Sequence, residues 1–372
     1  MIAYYGLGIA GAFVSYLAIR CETRSRLASF LLYCITITLF CHFAGARDLT
    51  VGTDTAGYGL LSYQEASLEG LDTFYANGRY ASWAPLYKLL CWFSVNVFHS
   101  LYAYLFVIQL FTVAPLVIAS RKLLGNYLPI SILVYAFMFY PMSLNMMRQM
   151  IAMSFLLLSF AYILNRKLFA SIGFVVVAVL FHTSAIIGLA VYPLVSYSRA
   201  SSLSNGLKLL ALSALMVAVI AAAPRLLLAL TSTGFYAEYS SGIEASAGGG
   251  FRTIATTFAV LVVLGFASWL LTGSSAVKQK PEIIATGTIV VFGVLCLPLS
   301  LTSFWLYRIG MTFLYYAVLL LPMLINAISG ERERFVFCLL VIITSGLWSL
   351  DYYSLQGNHQ VIPYLLSMSD IH

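Results

Sequence analysis

Charge is what this sequence has least of. Only 9% of its 372 residues are Asp, Glu, Lys or Arg, against roughly a quarter in a soluble domain, which excludes an ordinary cytosolic enzyme. The same scarcity, together with 15% aromatic residues, excludes disorder, because disordered chains are charge-rich and poor in aromatics. Paired cysteines are lacking too. Cys21, Cys34, Cys41, Cys91, Cys296 and Cys338 form no CxxC, and the spacing of Cys34 and Cys41 suits helix packing better than a disulfide. His42, His99, His182, His359 and His372 lie far apart, without the HxH or HxxxH spacing that sets two ligands on one face. No metal or other cofactor is therefore expected. There is no internal repeat and no low-complexity tract, so a transporter built from two matching halves is not supported. The formal charge of +7 never gathers into a basic patch, so nucleic acid is not an expected partner.

What the chain does have is apolar length. Apolar residues make up 61% of it, and twelve spans of ~20 residues would need ~240. The expected fold class is all-α: a polytopic integral membrane helical bundle of about twelve membrane helices, some of them short and broken, in one domain over residues 1–372. Met1 to Ile19 is apolar with Arg20, Arg24 and Arg26 behind it, the reverse of a secretory signal, and reads as an anchor with its N-terminus outside. Further apolar runs lie near 27–46, 101–120, 127–144, 147–164, 168–198, 207–223, 251–272, 283–303, 309–328 and 335–350.

The positive-inside rule assigns the sides. Turns carrying Arg20/Arg24/Arg26, Arg121/Lys122, Arg166/Lys167, Arg199/Lys208, Lys278/Lys280 and Arg332/Arg334 read as cytoplasmic, with 13 of the 20 basic residues and 4 of the 13 acids. Two places resist simple counting. Trp83 to Ser100 contains Lys88 and is opened by Pro85, so it is expected to be a short interfacial or re-entrant helix. The run 168–198 is too long for one span and too short for two, so it is expected to break near His182-Thr183-Ser184. Segments 47–82, 224–250 and 351–372 read as outer, which places both termini on that side. Tyr236 and Tyr239 are candidate contacts in the second of these.

Five groups of residues could carry chemistry at the outer face. Arg47 to Tyr58 joins two glycines to Thr53, Asp54 and Thr55; Asp54 is either a general base or, with Thr53, the N-cap of the helix running toward Glu65. Arg148 stands between two apolar runs beside Asn145 and Gln149, which share a helix face. It is either a snorkelling anchor or part of a polar pocket. Arg308 follows Phe304, Trp305 and Tyr307, as in an interfacial belt, but Arg47, Arg148 and Arg308 together would suit a lipid diphosphate. His182, followed by Thr183 and Ser184, is either a packing group or a proton carrier that touches a sugar hydroxyl. Trp83 to Lys88, with Tyr87, reads as an interfacial helix or as a wall of a glycan or lipid groove.

In this order the positions resemble the EpsG family of Wzy-like polysaccharide polymerases. The matching elements are Arg47 with Val51-Gly52-Thr53-Asp54-Thr55-Ala56-Gly57-Tyr58, then Pro85-Leu86-Tyr87-Lys88-Leu89-Leu90 and Asn145-Met146-Met147-Arg148-Gln149-Met150-Ile151-Ala152. Phe181-His182-Thr183-Ser184-Ala185 and Arg308 complete the set. Where the family often carries an acid before the proline, this chain has Trp83-Ala84, so any role of that acid is absent or displaced here.

The resemblance implies a GT-C-like, metal-independent glycosyltransferase of the bacterial inner membrane. It would join oligosaccharide repeat units of an O-antigen, capsule or exopolysaccharide, carried on undecaprenyl diphosphate, at the periplasmic face. Asp54, His182, Arg148 and Arg308 are then the catalytic candidates. Arg47, Thr53, Thr55, Tyr58, Tyr87, Asn145, Gln149, Ser184, Tyr236 and Tyr239 are the substrate-binding ones, with Arg47 holding either the Asp54 loop or a phosphate. Partners would be the lipid-linked glycan donor and acceptor and the bilayer, with a chain-length regulator and a flippase nearby. The competing readings are a polyprenol-dependent transferase of single sugars and a flippase or transporter of the lipid-linked unit.

Overall fold

The computed structural model describes residues 1–80, 83–199, 207, 250–278, 280–301 and 304–367. Among them the chain is helical without strands, in two compact units: Met1–Gly188 with Val341–His372, and Leu189–Leu340. Among the described residues eight stretches are long and apolar enough to cross a membrane, and Leu168–Phe181 and Thr183–Ser198 are shorter apolar helices. The chain is a polytopic helical membrane protein. The apolar run 207–223 and the loop 224–249, with Tyr236 and Tyr239, lie outside the described residues apart from Leu207.

The first unit opens with a hairpin, α1 (Ile2–Cys21) and α2 (Arg26–Gly45), whose turn is capped by Ser25 accepting from the Ala28 N–H at 3.2 Å. Small residues let α1 approach closely: a Cβ at Gly11 would meet the Phe40 ring at 2.6 Å. A helix of this length spans about 30 Å, so the chain leaves α2 at the opposite end of the unit from the α1–α2 turn. There it runs through a π-turn (Thr55–Gly59), α3 (Leu60–Leu68) and α4 (Leu71–Ala76). Pro85 then starts α5 (Pro85–Phe98), which is shorter than a span. Lys88 of α5 is buried along its stem and donates to the Tyr75 carbonyl at 3.1 Å.

Next, α6 (Leu101–Leu124) returns to the first end, where Arg121 pairs with Glu22. That ion pair puts Arg121 beside the turn holding Arg20, Arg24 and Arg26, which agrees with α5 being no span. At the other end of α6, Tyr102 and His42 hydrogen-bond at 2.7 Å. Gly125, at φ +56°, turns the chain into α7 (Leu128–Val134), a π-turn (Tyr135–Phe139) and α8 (Tyr140–Asn145). The π-turn precedes Pro141, which cannot donate to the helix ladder and crowds the carbonyl four residues back. Buried Gln109 of α6 clamps this segment, donating to the hydroxyls of Tyr135 and Ser143 at 3.0 Å each.

Met146, at φ −82° and ψ 49°, breaks the helix, and α9 (Met147–Leu164) runs back. α10 (Leu168–Phe181) follows it, and the run 168–198 breaks at His182, whose φ of −155° and ψ of 112° are extended. The tail is not loose: after a π-turn (Leu350–Leu355) it pairs with the segment after α2, the Asp48 N–H donating to Leu365 at 2.9 Å and the Ser367 N–H to Ala46 at 2.9 Å.

The second unit contains helices Phe251–Lys278, Pro281–Cys296, Phe304–Leu314 and Ala317–Ala327. Two of its helices pack backbone to backbone at Gly293, where a Cβ would lie 2.6 Å from the Leu314 nitrogen and 3.0 Å from the Gly310 carbonyl oxygen. Arg308 belongs to this unit, half-buried on Phe304–Leu314.

Candidate active site

At the end of the first unit away from Glu22 and Arg121, four segments meet: the loop Arg47–Gly59, the helix break at Asn145–Arg148, the start of α5 and the break at His182. Each comes from a local signal. Gly52 sits at φ +90°, a conformation L side chains rarely adopt, with space for a Cβ only 3.2 Å from the Leu144 carbonyl oxygen. That close approach lays the loop on the tip of α8.

Arg47 locks it there. Its side chain is 3% exposed, and its guanidinium donates to the Ala44 carbonyl at 2.7 Å, the Leu144 carbonyl at 3.1 Å and the Thr55 hydroxyl at 3.3 Å. Ala44 and Leu144 lie in the last turns of α2 and α8, whose carbonyls lack helical partners, so one arginine caps two helix ends. Burial pulls its pKa below the ordinary arginine value; a guanidinium remains charged all the same. Arg47 thus faces the fold and holds the Asp54 loop, one of the two roles open to it from the sequence. Thr55 is likewise buried, its hydroxyl donating to the Val51 carbonyl at 2.8 Å. Nearby, the Thr50 N–H and hydroxyl hold the exposed Asp48 carboxyl below its usual range.

Replacing Arg47 by methionine should leave two carbonyls without donors, at about 1–3 kcal/mol each. The purified protein is then expected to melt several degrees lower in detergent, whereas wild-type melting would contradict the capping role.

Asn145 ties the loop from the other side. Its carbonyl oxygen accepts from the Thr53 hydroxyl at 2.8 Å and from the Asp54 N–H at 2.7 Å. Asp54 stands before the π-turn but makes no side-chain capping bond, and the Thr53 hydroxyl is engaged with Asn145. Helix capping therefore does not account for either residue. Arg148 follows in the first turn of α9, its guanidinium over the face of Trp83 at 4.7 Å. Trp83 is 5% exposed and anchored in a ring cluster with Tyr80 at 4.4 Å, Tyr87 at 5.2 Å and Tyr58 at 6.3 Å.

These groups surround a narrow, half-open cleft lined by Asp54, Tyr58, Trp83, Tyr87, Asn145, Met146, Met147, Arg148, Gln149 and His182. Of the candidates read from sequence, seven therefore line one cleft: Asp54, Tyr58, Tyr87, Asn145, Arg148, Gln149 and His182. Thr53 reaches it only through Asn145. Ser184 is exposed and does not line the cleft. Trp83, named only as a groove wall, is the platform for Arg148. His359, which in the sequence is only one of five scattered histidines, has its Nδ1 2.9 Å from Asn145 Nδ2. Nothing local marks it, because the two residues are 214 apart in the chain. Among the described residues no three His, Cys, Asp or Glu side chains gather to hold a metal ion.

The sequence model of one protein family, described as the EpsG family, matches residues 30–366. No curated protein and no solved structure matches the chain.

Proposed function

Because the chain belongs to the EpsG family, a family of the Wzy-like polymerase type, we propose that it is a glycosyltransferase that polymerises lipid-linked oligosaccharide repeat units at the outer face of the bacterial inner membrane. The donor glycan is carried on undecaprenyl diphosphate. The non-reducing-end hydroxyl of the acceptor attacks the anomeric carbon of the donor, and the bond from that carbon to the diphosphate oxygen breaks. The hydroxyl proton passes to Asp54, and the lipid diphosphate departs with the bonding electron pair. His182 orients the acceptor sugar. Arg308 is a second guanidinium for the diphosphate, both termini lie on the outer side, and a chain-length regulator and a flippase are the expected partners.

The observation that carries this reading is the pairing, in one cleft, of Arg148 stacked on Trp83 with Asp54 and His182. A departing diphosphate gains negative charge, and a preorganised guanidinium placed where charge develops is a large source of rate enhancement. The first turn of α9 lines the same cleft, and its N–H groups favour an anion there. A carboxylate beside them supplies the base, so the reading routes no step through a metal.

Purified protein in detergent, given the purified lipid-linked repeat unit, is expected to produce a ladder of glycans. A single added sugar would favour the single-sugar transferase, and unchanged substrate would favour the flippase; either result overturns the polymerase reading.

A further inference from the structure

We propose that His359, in the chain's C-terminal tail, is a positioning residue for the Asp54 loop, acting through Asn145 as a neutral imidazole. The proposal rests on the polymerase reading for its effect on turnover, while its geometric part stands on hydrogen bonding alone.

The direction of each bond follows from donor and acceptor chemistry. The backbone N–H of Asp54 can only donate, so the Asn145 atom 2.7 Å from it is the carbonyl oxygen. The other arm of the carboxamide is therefore the NH₂ group, again a donor. His359 Nδ1, 2.9 Å from that nitrogen, must accept, and an accepting Nδ1 carries no proton. The imidazole proton then sits on Nε2, 3.1 Å from the Tyr352 hydroxyl oxygen, which accepts it. The order is fixed: the Asn145 carboxamide sets the tautomer, Tyr352 accepts the Nε2 proton and steadies the ring, and the carboxamide so held by His359 holds Thr53 and Asp54.

The tail is shaped for this. Gly357, His359 and Gln360 all have positive φ, of 68°, 66° and 49°, a region non-glycine residues enter only when their surroundings impose it. The surroundings are explicit: the Gln360 carbonyl accepts from the Gly52 N–H at 3.0 Å, and the Val361 carbonyl accepts from the Tyr4 hydroxyl at 2.7 Å. The Asp54 loop is thus fastened to the tail twice, directly at Gly52 and through Asn145 at Thr53 and Asp54. Without His359 the carboxamide keeps only the bonds to the loop it is meant to hold, so the Asp54 carboxylate loses its aim, and small misplacements of a reacting group cost rate steeply.

The test uses three substitutions in the full-length protein. Asparagine places its oxygen on Cγ, where histidine has Nδ1, so His359→Asn keeps an acceptor for Asn145. Glutamine places its polar atoms one bond further out, so His359→Gln keeps the reach to Tyr352 but not that acceptor, and His359→Ala keeps neither. In detergent, amide hydrogen exchange at Asp54 is expected to rise about tenfold in the glutamine and alanine variants, the size expected from one lost hydrogen bond, and to stay at the wild-type rate in the asparagine variant. In the ladder assay kcat should fall about tenfold in the same two variants with KM within about twofold, and the asparagine variant should recover it. Wild-type exchange in the glutamine variant, or no recovery by asparagine, would overturn the proposal. Should alanine prevent accumulation, the asparagine and glutamine pair decides alone. Absence of any ladder from wild type would overturn the polymerase reading instead, and the exchange result would still judge the link from His359 to Asp54.

Discussion

Arg148→Ala is expected to cut ladder formation by about 10²–10³-fold, the range seen when one preorganised donor to a developing charge is removed, while protein level and melting behaviour stay near wild type. The asymmetry follows from the site. Arg148 is half-exposed at a helix break and stacks on Trp83, so its loss orphans no buried carbonyl, in contrast to Arg47. Arg148→Lys should also be poor, at about a tenth or less of wild-type turnover, because an ammonium neither stacks on an indole nor binds two phosphate oxygens in a plane. Full activity in the lysine variant would remove the planar clamp from the mechanism. Trp83→Leu, which keeps an apolar wall but withdraws the platform, should weaken turnover in the same direction and by less.

Asp54→Asn carries the second large effect. The change is nearly isosteric and leaves the backbone N–H that Asn145 holds at 2.7 Å, so the loop should keep its place. What disappears is the ability to accept a proton from the attacking hydroxyl, a contribution of about 10²–10⁴ in rate. The loss should therefore fall on kcat, with KM little altered. Wild-type kcat in Asp54→Asn would shift the proton to His182, and His182→Ala measured beside it would then show the large loss.

The composition made the fold class legible, and two irregularities could be read from length and local chemistry alone. The run 168–198 had to break because it is neither one span nor two, and it breaks at His182. Trp83 to Ser100 could not be a span with Pro85 at its start and Lys88 inside, and it forms the short helix Pro85–Phe98. Long-range partnership was what the sequence hid. Arg47 looks like an arginine for phosphate until Leu144, 97 residues away, is seen to occupy its guanidinium. His359 has no motif around it, and its meaning comes entirely from Asn145. Trp83 could be noticed as an aromatic near a proline, but not as the surface under Arg148, because stacking depends on where two distant helices start. Arg308 stands in the other unit, so its role rests on the family resemblance, and Tyr236 and Tyr239, read as contacts from their place in an outer segment, lie outside the described residues.

The decisive measurement is equilibrium binding of a polyprenyl diphosphate, with the monophosphate as control, to purified wild-type and Arg148→Ala protein. Wild type is expected to bind the diphosphate about tenfold or more tightly than the variant does, the weight of a charge-assisted contact, with a much smaller difference for the monophosphate. Equal diphosphate affinity in the two proteins would contradict a leaving-group site at Arg148.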